Sequence, residues 1–227
     1  LQIFGTSSMA ITRLESIYYG VEDLSTCTRY FEDFGLEVVE KNDNGASFRT
    51  REHQWVHLRG IADSSLPSAI EPGSTMREAI WGVDTAANLQ ALAAELSRDR
   101  EVKSHSDGSV HTHDDAGIPI GFAVAKPANL DITAPLMNVG RHSVRVNRAV
   151  DEITKVWPMR LIHVVYDVPQ NNWQSFSAFY IDRLGFRLSD RSLNAGDFLR
   201  CSMDHHNLFL LNRNNKLGYN HVAIEVR

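Results

Sequence analysis

Apolar residues along the chain follow first a period of two and then a period of 3.6, as strands and amphipathic helices require. A strand-like run at 14–21 is followed by an amphipathic helix at 24–34. Gly35 comes directly after this helix, where a left-handed C-terminal residue is favoured. Further strand-like stretches follow at 37–41, 46–51 and 55–59. This order predicts a βαβββ unit.

The same order of elements returns about 150 residues later. A strand-like run, a helix at 173–184 and Gly185 stand in the same succession. Three pairs of segments align, 13–21 with 160–168 at an offset of 147, 30–38 with 179–188 at 150, and 53–56 with 206–209 at 153. An offset that grows in such small steps indicates an internal duplication.

Two weaker units complete the pattern. One begins at 79–84 and continues into a helix at 88–98, whose apolar residues share one face. Another opens at 221–226, and the sequence stops at Arg227. We therefore predict an α+β fold of tandem βαβββ modules, paired into two half-barrel domains, with the fourth module truncated.

The distribution of prolines suggests domain boundaries. The stretch 127–158 contains Pro127, Pro135 and Pro158 and has little periodicity, which is typical of a connection. We predict leader or tag residues at 1–8, an N-terminal domain of two modules without a metal site at 9–126, a linker at 127–158 and a C-terminal catalytic domain at 159–227.

Composition excludes several classes of protein. The 227 residues are 43% hydrophobic and carry a net charge of −5, with no block of like charges, so disorder and a nucleic-acid or anionic-membrane surface are disfavoured. Cys27 and Cys201 are too few for a disulfide framework. The sequence predicts a soluble, cytoplasmic protein that binds neither nucleic acid nor membrane.

Aligning the first strands of the four modules places Ser16, Glu78, His163 and His221 in one column. Facing first strands in a half-barrel would bring the two histidines together on one metal ion. Imidazoles suit Fe, Zn, Cu or Ni, and two histidines with one carboxylate suggest non-haem Fe(II). A single strand histidine is more often a hydrogen-bonded structural residue, but two at equivalent positions favour the ligand interpretation.

A third ligand is harder to find. Glu225 lies four residues after His221, and Asp167 four after His163, which is roughly 13 Å along a strand and too far for both residues to reach one ion. Neither carboxylate is therefore predicted to be the third ligand.

A histidine pair precedes the strand-like run 208–211. His206 has the same parity as Leu208 and Leu210, so we expect it, rather than His205, to enter the pocket as a general acid or base. The alternative is a solvent-exposed turn.

His111 and His113 are interpreted as part of a polar hairpin, and His57 as a strand residue.

Four motifs in order resemble the vicinal oxygen chelate superfamily, and within it the two-domain type I extradiol ring-cleavage dioxygenases. The resemblance covers nearly the whole chain from Ile11. The motifs are His163–Val168 (HVVYDV), Phe179–Phe186 (FYIDRLGF), Asp204–Leu208 (DHHNL) and Asn220–Val226 (NHVAIEV).

The resemblance implies a function and a set of site residues. His163 and His221 would bind Fe(II), with Mn(II) as the alternative, His206 would be the acid/base residue, and Val165 and Phe198 would line the substrate pocket. The implied substrates are a catechol-type aromatic diol and O₂, and the implied assembly is a homo-oligomer. The third ligand of the family is a glutamate, expected after Arg227.

Two other functions remain open on the same fold. One is a glyoxalase-like isomerase or lyase that uses Zn²⁺, Ni²⁺ or Mn²⁺. The other is a metal-free, resistance-type protein that only binds a small molecule. Fold alone does not separate them.

Overall fold

The computed structural model describes residues 10–130, 156–193, 195–212 and 215–227. The predicted leader at 1–8 and most of the predicted linker, 131–155, lie outside the described residues. The domain boundaries at 126 and 159 therefore stay a prediction.

Two βαβββ units form the first sheet. Their elements are β1 (Ile11–Val21), α1 (Leu24–Phe34), β2 (Glu37–Asn42), β3 (Gly45–Arg49), β4 (Trp55–Gly60), β5 (Thr75–Val83), α2 (Ala86–Leu96), β6 (Lys103–Ser104), β7 (Val110–His113) and β8 (Pro119–Val124). The strand order is β2-β3-β4-β1-β5-β8-β7-β6. The two first strands, β1 and β5, pair antiparallel at the centre, and each takes the last strand of its own unit in parallel on its other side.

The second sheet repeats this plan. Its elements are β9 (Pro158–Asp167), α3 (Trp173–Ala178), a π-helical turn (Phe179–Arg183), β10 (Arg187–Ser192), β11 (Gly196–Arg200), β12 (Leu208–Leu211) and β13 (Gly218–Val226). The strand order is β10-β11-β12-β9-β13. The predicted α+β class with two half-barrel sheets is confirmed.

Local signals account for the helix ends. Asp23 accepts a hydrogen bond from the Thr26 N–H at 2.8 Å, so α1 begins where predicted. The Thr85 hydroxyl accepts from the Asn88 N–H at 3.2 Å, so α2 begins two residues earlier than predicted. Gly35 and Gly185 have φ values of 96° and 76°. These values confirm the left-handed conformation predicted for the glycines that follow the two helices.

Strand register corrects one detail of the internal repeat. Val56 pairs with Ile17, and Leu208 pairs with Val164. Since 208 − 56 is 152, the offset here is 152 and the predicted 153 is wrong. Gln54, rather than His53, is therefore the counterpart of His206.

Contacts between the two sheets hold them together. The buried Gln54 amide donates to the Leu161 carbonyl at 2.9 Å and accepts from the Leu161 N–H at 2.8 Å. The Tyr180 hydroxyl donates to Asp114 at 2.9 Å, linking the π-helical turn to the β7–β8 hairpin. In the part of the chain that the structure describes, no helix is long and apolar enough to cross a membrane.

Candidate metal centre

Pairing between β9 and β13 brings the two predicted ligands together. The strands run antiparallel, with Val165 opposite His221 and Ala223 opposite His163. The first sheet has the same register, because Tyr18 lies opposite Glu78 in the β1–β5 pair. The expectation that the first strands of modules three and four face each other is confirmed.

The two imidazoles meet at their Nε2 atoms. His163 Nε2 and His221 Nε2 are 3.2 Å apart, and their rings lie at 71° to each other. Two nitrogens bound at right angles to one ion, each about 2.1 Å from it, are about 3.0 Å apart. The observed separation therefore fits two neighbouring positions of one coordination shell.

A hydrogen bond sets the orientation of His221. Its Nδ1 lies 2.8 Å from the Asn220 Oδ1, an arrangement in which Nδ1 carries the proton and Nε2 keeps its lone pair for a metal. The Asn220 amide nitrogen also donates to Asp167 at 3.3 Å. Asn220 was not predicted, although its position beside His221 in the last motif was a usable signal.

His206 lies against His163, where an acid/base residue would be useful. The two rings stack with centroids 4.2 Å apart, and His206 Nδ1 is 3.1 Å from His205 Nδ1. The predicted orientation of His206 from strand parity is wrong, because Leu208 and Leu210, which share that parity, are buried in the core. His206 contacts His163 because it precedes β12, in a bent segment that does not follow strand alternation.

Burial favours the neutral forms of these histidines. Burial, reinforced by His206 and His221, lowers the pKa of His163 to about 4. Burial also lowers the pKa of His206, with His205 and His221 acting in the same direction. Both imidazoles are therefore uncharged near pH 7, and an uncharged imidazole is the form that binds a metal.

The two predicted substrate-lining residues lie beside this cluster. Phe209 pairs with Val165 on one side and with Phe198 on the other. The Phe198 ring stacks on Phe209 with centroids 4.0 Å apart and lies at 75° to the His206 ring, with centroids 5.1 Å apart. Phe198 and Phe209 are partly exposed and form an aromatic surface next to the histidines, whereas Val165 is 1% exposed and lies within the core.

Two carboxylates near His163 and His221 bind Arg160. Glu225 accepts from the Arg160 Nε at 2.7 Å, and Asp204 binds the other end of the same guanidinium. Among the described residues, no group of three or more His, Cys, Asp or Glu side chains is arranged to hold a metal ion. The described residues thus supply two candidate ligands.

The equivalent positions of the first sheet are occupied differently. Ser16 and Glu78 stand where the second sheet has His163 and His221, and the Glu78 carboxylate binds His111 Nδ1 at 2.9 Å. Tyr18 and His57 stack at 4.3 Å on the same sheet. His111 lies in β7, as the predicted polar hairpin requires.

Comparison with known proteins gives a fold relationship. No family model and no curated protein matches the sequence. Among solved structures, the Mn(II)-bound glyoxalase from Novosphingobium aromaticivorans has 23% identity and a TM-score of 0.68, over 95% of this chain and 65% of that one. Homoprotocatechuate 2,3-dioxygenase from Arthrobacter globiformis has 19% identity and a TM-score of 0.68, over 96% and 64%.

A third similar structure is BphC, a halotolerant catechol dioxygenase, with 15% identity and a TM-score of 0.69 over 97% of this chain and 72% of that one. The chain spans less than two thirds of the length of the first two proteins. It has the fold of the vicinal oxygen chelate proteins, as the motifs predicted.

Proposed function

We propose that the second sheet binds one Fe(II) ion through the Nε2 atoms of His163 and His221, and that the protein cleaves a catechol-type diol with O₂. The observation that supports this most directly is the 3.2 Å separation of the two Nε2 atoms. Two neutral histidines with a carboxylate are typical ligands of non-haem Fe(II). We assign the carboxylate, by resemblance, to a glutamate outside the described residues.

The residues around the ion would have different roles in the reaction. An Fe(II) ion held by His163 and His221 would supply redox chemistry between the diol and O₂. Phe198 would line the surface that orients the aromatic ring, and the buried Val165 would support it through its strand neighbour Phe209. His206, half-buried against His163, takes up and returns a proton as the ring opens beside the two hydroxyls.

A glyoxalase-like isomerase or lyase is the second candidate. The similarity in fold to a Mn(II)-bound glyoxalase, at 23% identity, supports this second candidate. Such a reaction consumes no O₂, so oxygen uptake separates it from ring cleavage. A metal-free binding protein would need neither histidine.

Metal analysis of the natural protein, purified without oxygen, tests the proposal. We expect about one iron per chain, O₂ uptake with catechol and a yellow ring-opened product. Zinc, nickel or manganese without O₂ uptake would favour the isomerase or lyase. A protein that binds no metal would overturn both enzymatic proposals.

Substitution of the two histidines is the second test. His163→Ala and His221→Ala should each abolish stoichiometric iron binding, because each removes one of only two described ligands. His57→Ala, a strand histidine of the first sheet, is the matched control and should leave iron binding unchanged. Full iron occupancy in either site variant would refute the assignment.

A further inference from the structure

Arg160 makes contacts that connect three segments of the candidate metal centre, namely β9, the bent segment before β12, and β13. Its guanidinium binds Asp204 through two parallel hydrogen bonds of 2.6 and 2.7 Å. Its Nε donates to Glu225 at 2.7 Å. Paired, charge-assisted hydrogen bonds of this kind fix geometry as well as charge.

Each partner of Arg160 belongs to a segment that carries one of the histidines. Arg160 itself is three residues before His163 on β9. Asp204 lies in the bent segment that presents His206, where the Ser202 hydroxyl also donates to its carboxylate at 3.0 Å. Glu225 lies on β13, four residues after His221. The Arg160 side chain thus connects the segments that carry His163, His206 and His221.

The first sheet provides an internal comparison. Arg13 occupies the position equivalent to Arg160, since 160 − 13 is 147, the offset of these strands. Gly82 lies opposite Arg13, where Glu225 lies opposite Arg160. Arg13 pairs with Glu15 on its own strand at 3.0 Å and donates to the main-chain carbonyl of Glu52, which is the counterpart of Asp204 at the offset of 152. The arginine with two carboxylate partners on separate segments is found in the half that has the histidine pair.

We propose that Arg160 is a positioning residue, which holds the His206 segment and β13 against β9 so that the three imidazoles converge. The proposal rests on the function proposed above for its catalytic part. The arm through Asp204 positions His206, whose role is in proton transfer. The arm through Glu225 positions His221, whose role is in metal binding. The two arms should therefore affect different measured quantities.

Variants of the natural protein test the contacts of Arg160 with Asp204 and with Glu225 separately. Asp204→Asn should lower kcat for catechol per bound iron about tenfold and leave iron affinity within about twofold. Glu225→Gln should weaken Fe(II) affinity about tenfold, measured by competition with a chelator, and leave kcat per bound iron within about twofold. Arg160→Gln should show both losses, and Arg160→Lys should restore part of each, because an ammonium group keeps the charge but not the paired hydrogen bonds.

Arg13→Gln is the matched control, and it should change neither iron affinity nor kcat per bound iron. Amide hydrogen exchange of the metal-free protein provides a readout without iron, and Arg160→Gln should speed exchange selectively at 202–206 and in β13. If Arg160→Gln cannot be purified folded, the two single-arm variants decide the question.

The outcomes distinguish the two proposals. A wild-type protein without iron or ring cleavage refutes the proposed function, and hydrogen exchange then still tests Arg160. Wild-type activity with unchanged iron affinity, kcat and exchange in Arg160→Gln, or in both single-arm variants, overturns the positioning role alone.

Discussion

At the scale of single residues, the candidate centre depends on how each imidazole nitrogen is used. His221 has Nδ1 against the Asn220 amide oxygen and Nε2 toward His163. Asn220 is in turn held by Asp167, which is almost fully buried. This chain of contacts fixes the His221 tautomer before any metal binds.

Asn220→Ala should weaken iron binding by about 10- to 100-fold, because the His221 ring loses the acceptor that orients it. Titration of the metal-free natural protein with Fe(II) measures this. Asn88→Ala, which removes an exposed side-chain hydrogen bond to Asp84, is the control. An Asn220→Ala protein with wild-type affinity would show that the amide does not orient His221.

At the scale of elements, glycines end two equivalent helices. Gly35 follows α1 and Gly185 follows the π-helical turn, both with positive φ. Their surroundings differ. A Cβ added at Gly35 would lie 3.3 Å from the Val156 carbonyl oxygen, whereas one added at Gly185 would meet nothing within 4 Å.

Gly35→Ala should therefore destabilise the protein more than Gly185→Ala. Both substitutions force an alanine into the left-handed region, which costs about 1 kcal/mol. Only Gly35→Ala adds a close contact with the segment that leads into β9. Urea denaturation of the two variants measures the difference in the free energy of unfolding. Equal losses would mean that the Val156 contact relaxes without cost.

At the scale of the whole molecule, a buried carboxyl group lies between the two sheets. Asp114 accepts hydrogen bonds from the Ile118 N–H within its own hairpin and from the Tyr180 hydroxyl of the other half. Burial raises the pKa of Asp114 to about 6, although these hydrogen bonds act in the opposite direction. Docking of the two halves is thus coupled to proton uptake.

This coupling predicts how stability depends on pH. The native state holds the Asp114 proton up to about pH 6, whereas the unfolded chain releases it near pH 3.9. The native state therefore binds more protons between these values, and the contribution of Asp114 to stability decreases as pH rises from about 4 to 6.

Asp114→Asn should remove this part of the pH dependence, a change of about 2–3 kcal/mol in the free energy of unfolding across that range. Denaturation curves at several pH values measure it. Asp33→Asn, at an exposed position of α1, should keep the wild-type profile. An Asp114→Asn profile parallel to the wild type would contradict the assignment.

Much of the fold and part of the candidate site were readable from the sequence. The repeat identified the paired modules, and the column through the first strands identified His163 and His221, because strand register is set by apolar alternation. His206 was chosen by a wrong parity argument, since it lies outside the strand. Arg160, Asn220 and Asp114 were not found, because the carboxylate or hydroxyl groups that they bind, on Asp204, Glu225, Asp167 and Tyr180, are 44 to 66 residues away in sequence.

The sequence by itself determined the order of elements, the duplication and the two histidines at equivalent positions, since periodicity and turn residues are local properties. Only the tertiary structure decided that the two Nε2 atoms lie 3.2 Å apart, that His206 stacks on His163 and that Arg160 joins Asp204 to Glu225. These contacts arise when strands from distant parts of the chain pair, and the geometry of that pairing is set by packing and by hydrogen bonds that no local pattern records.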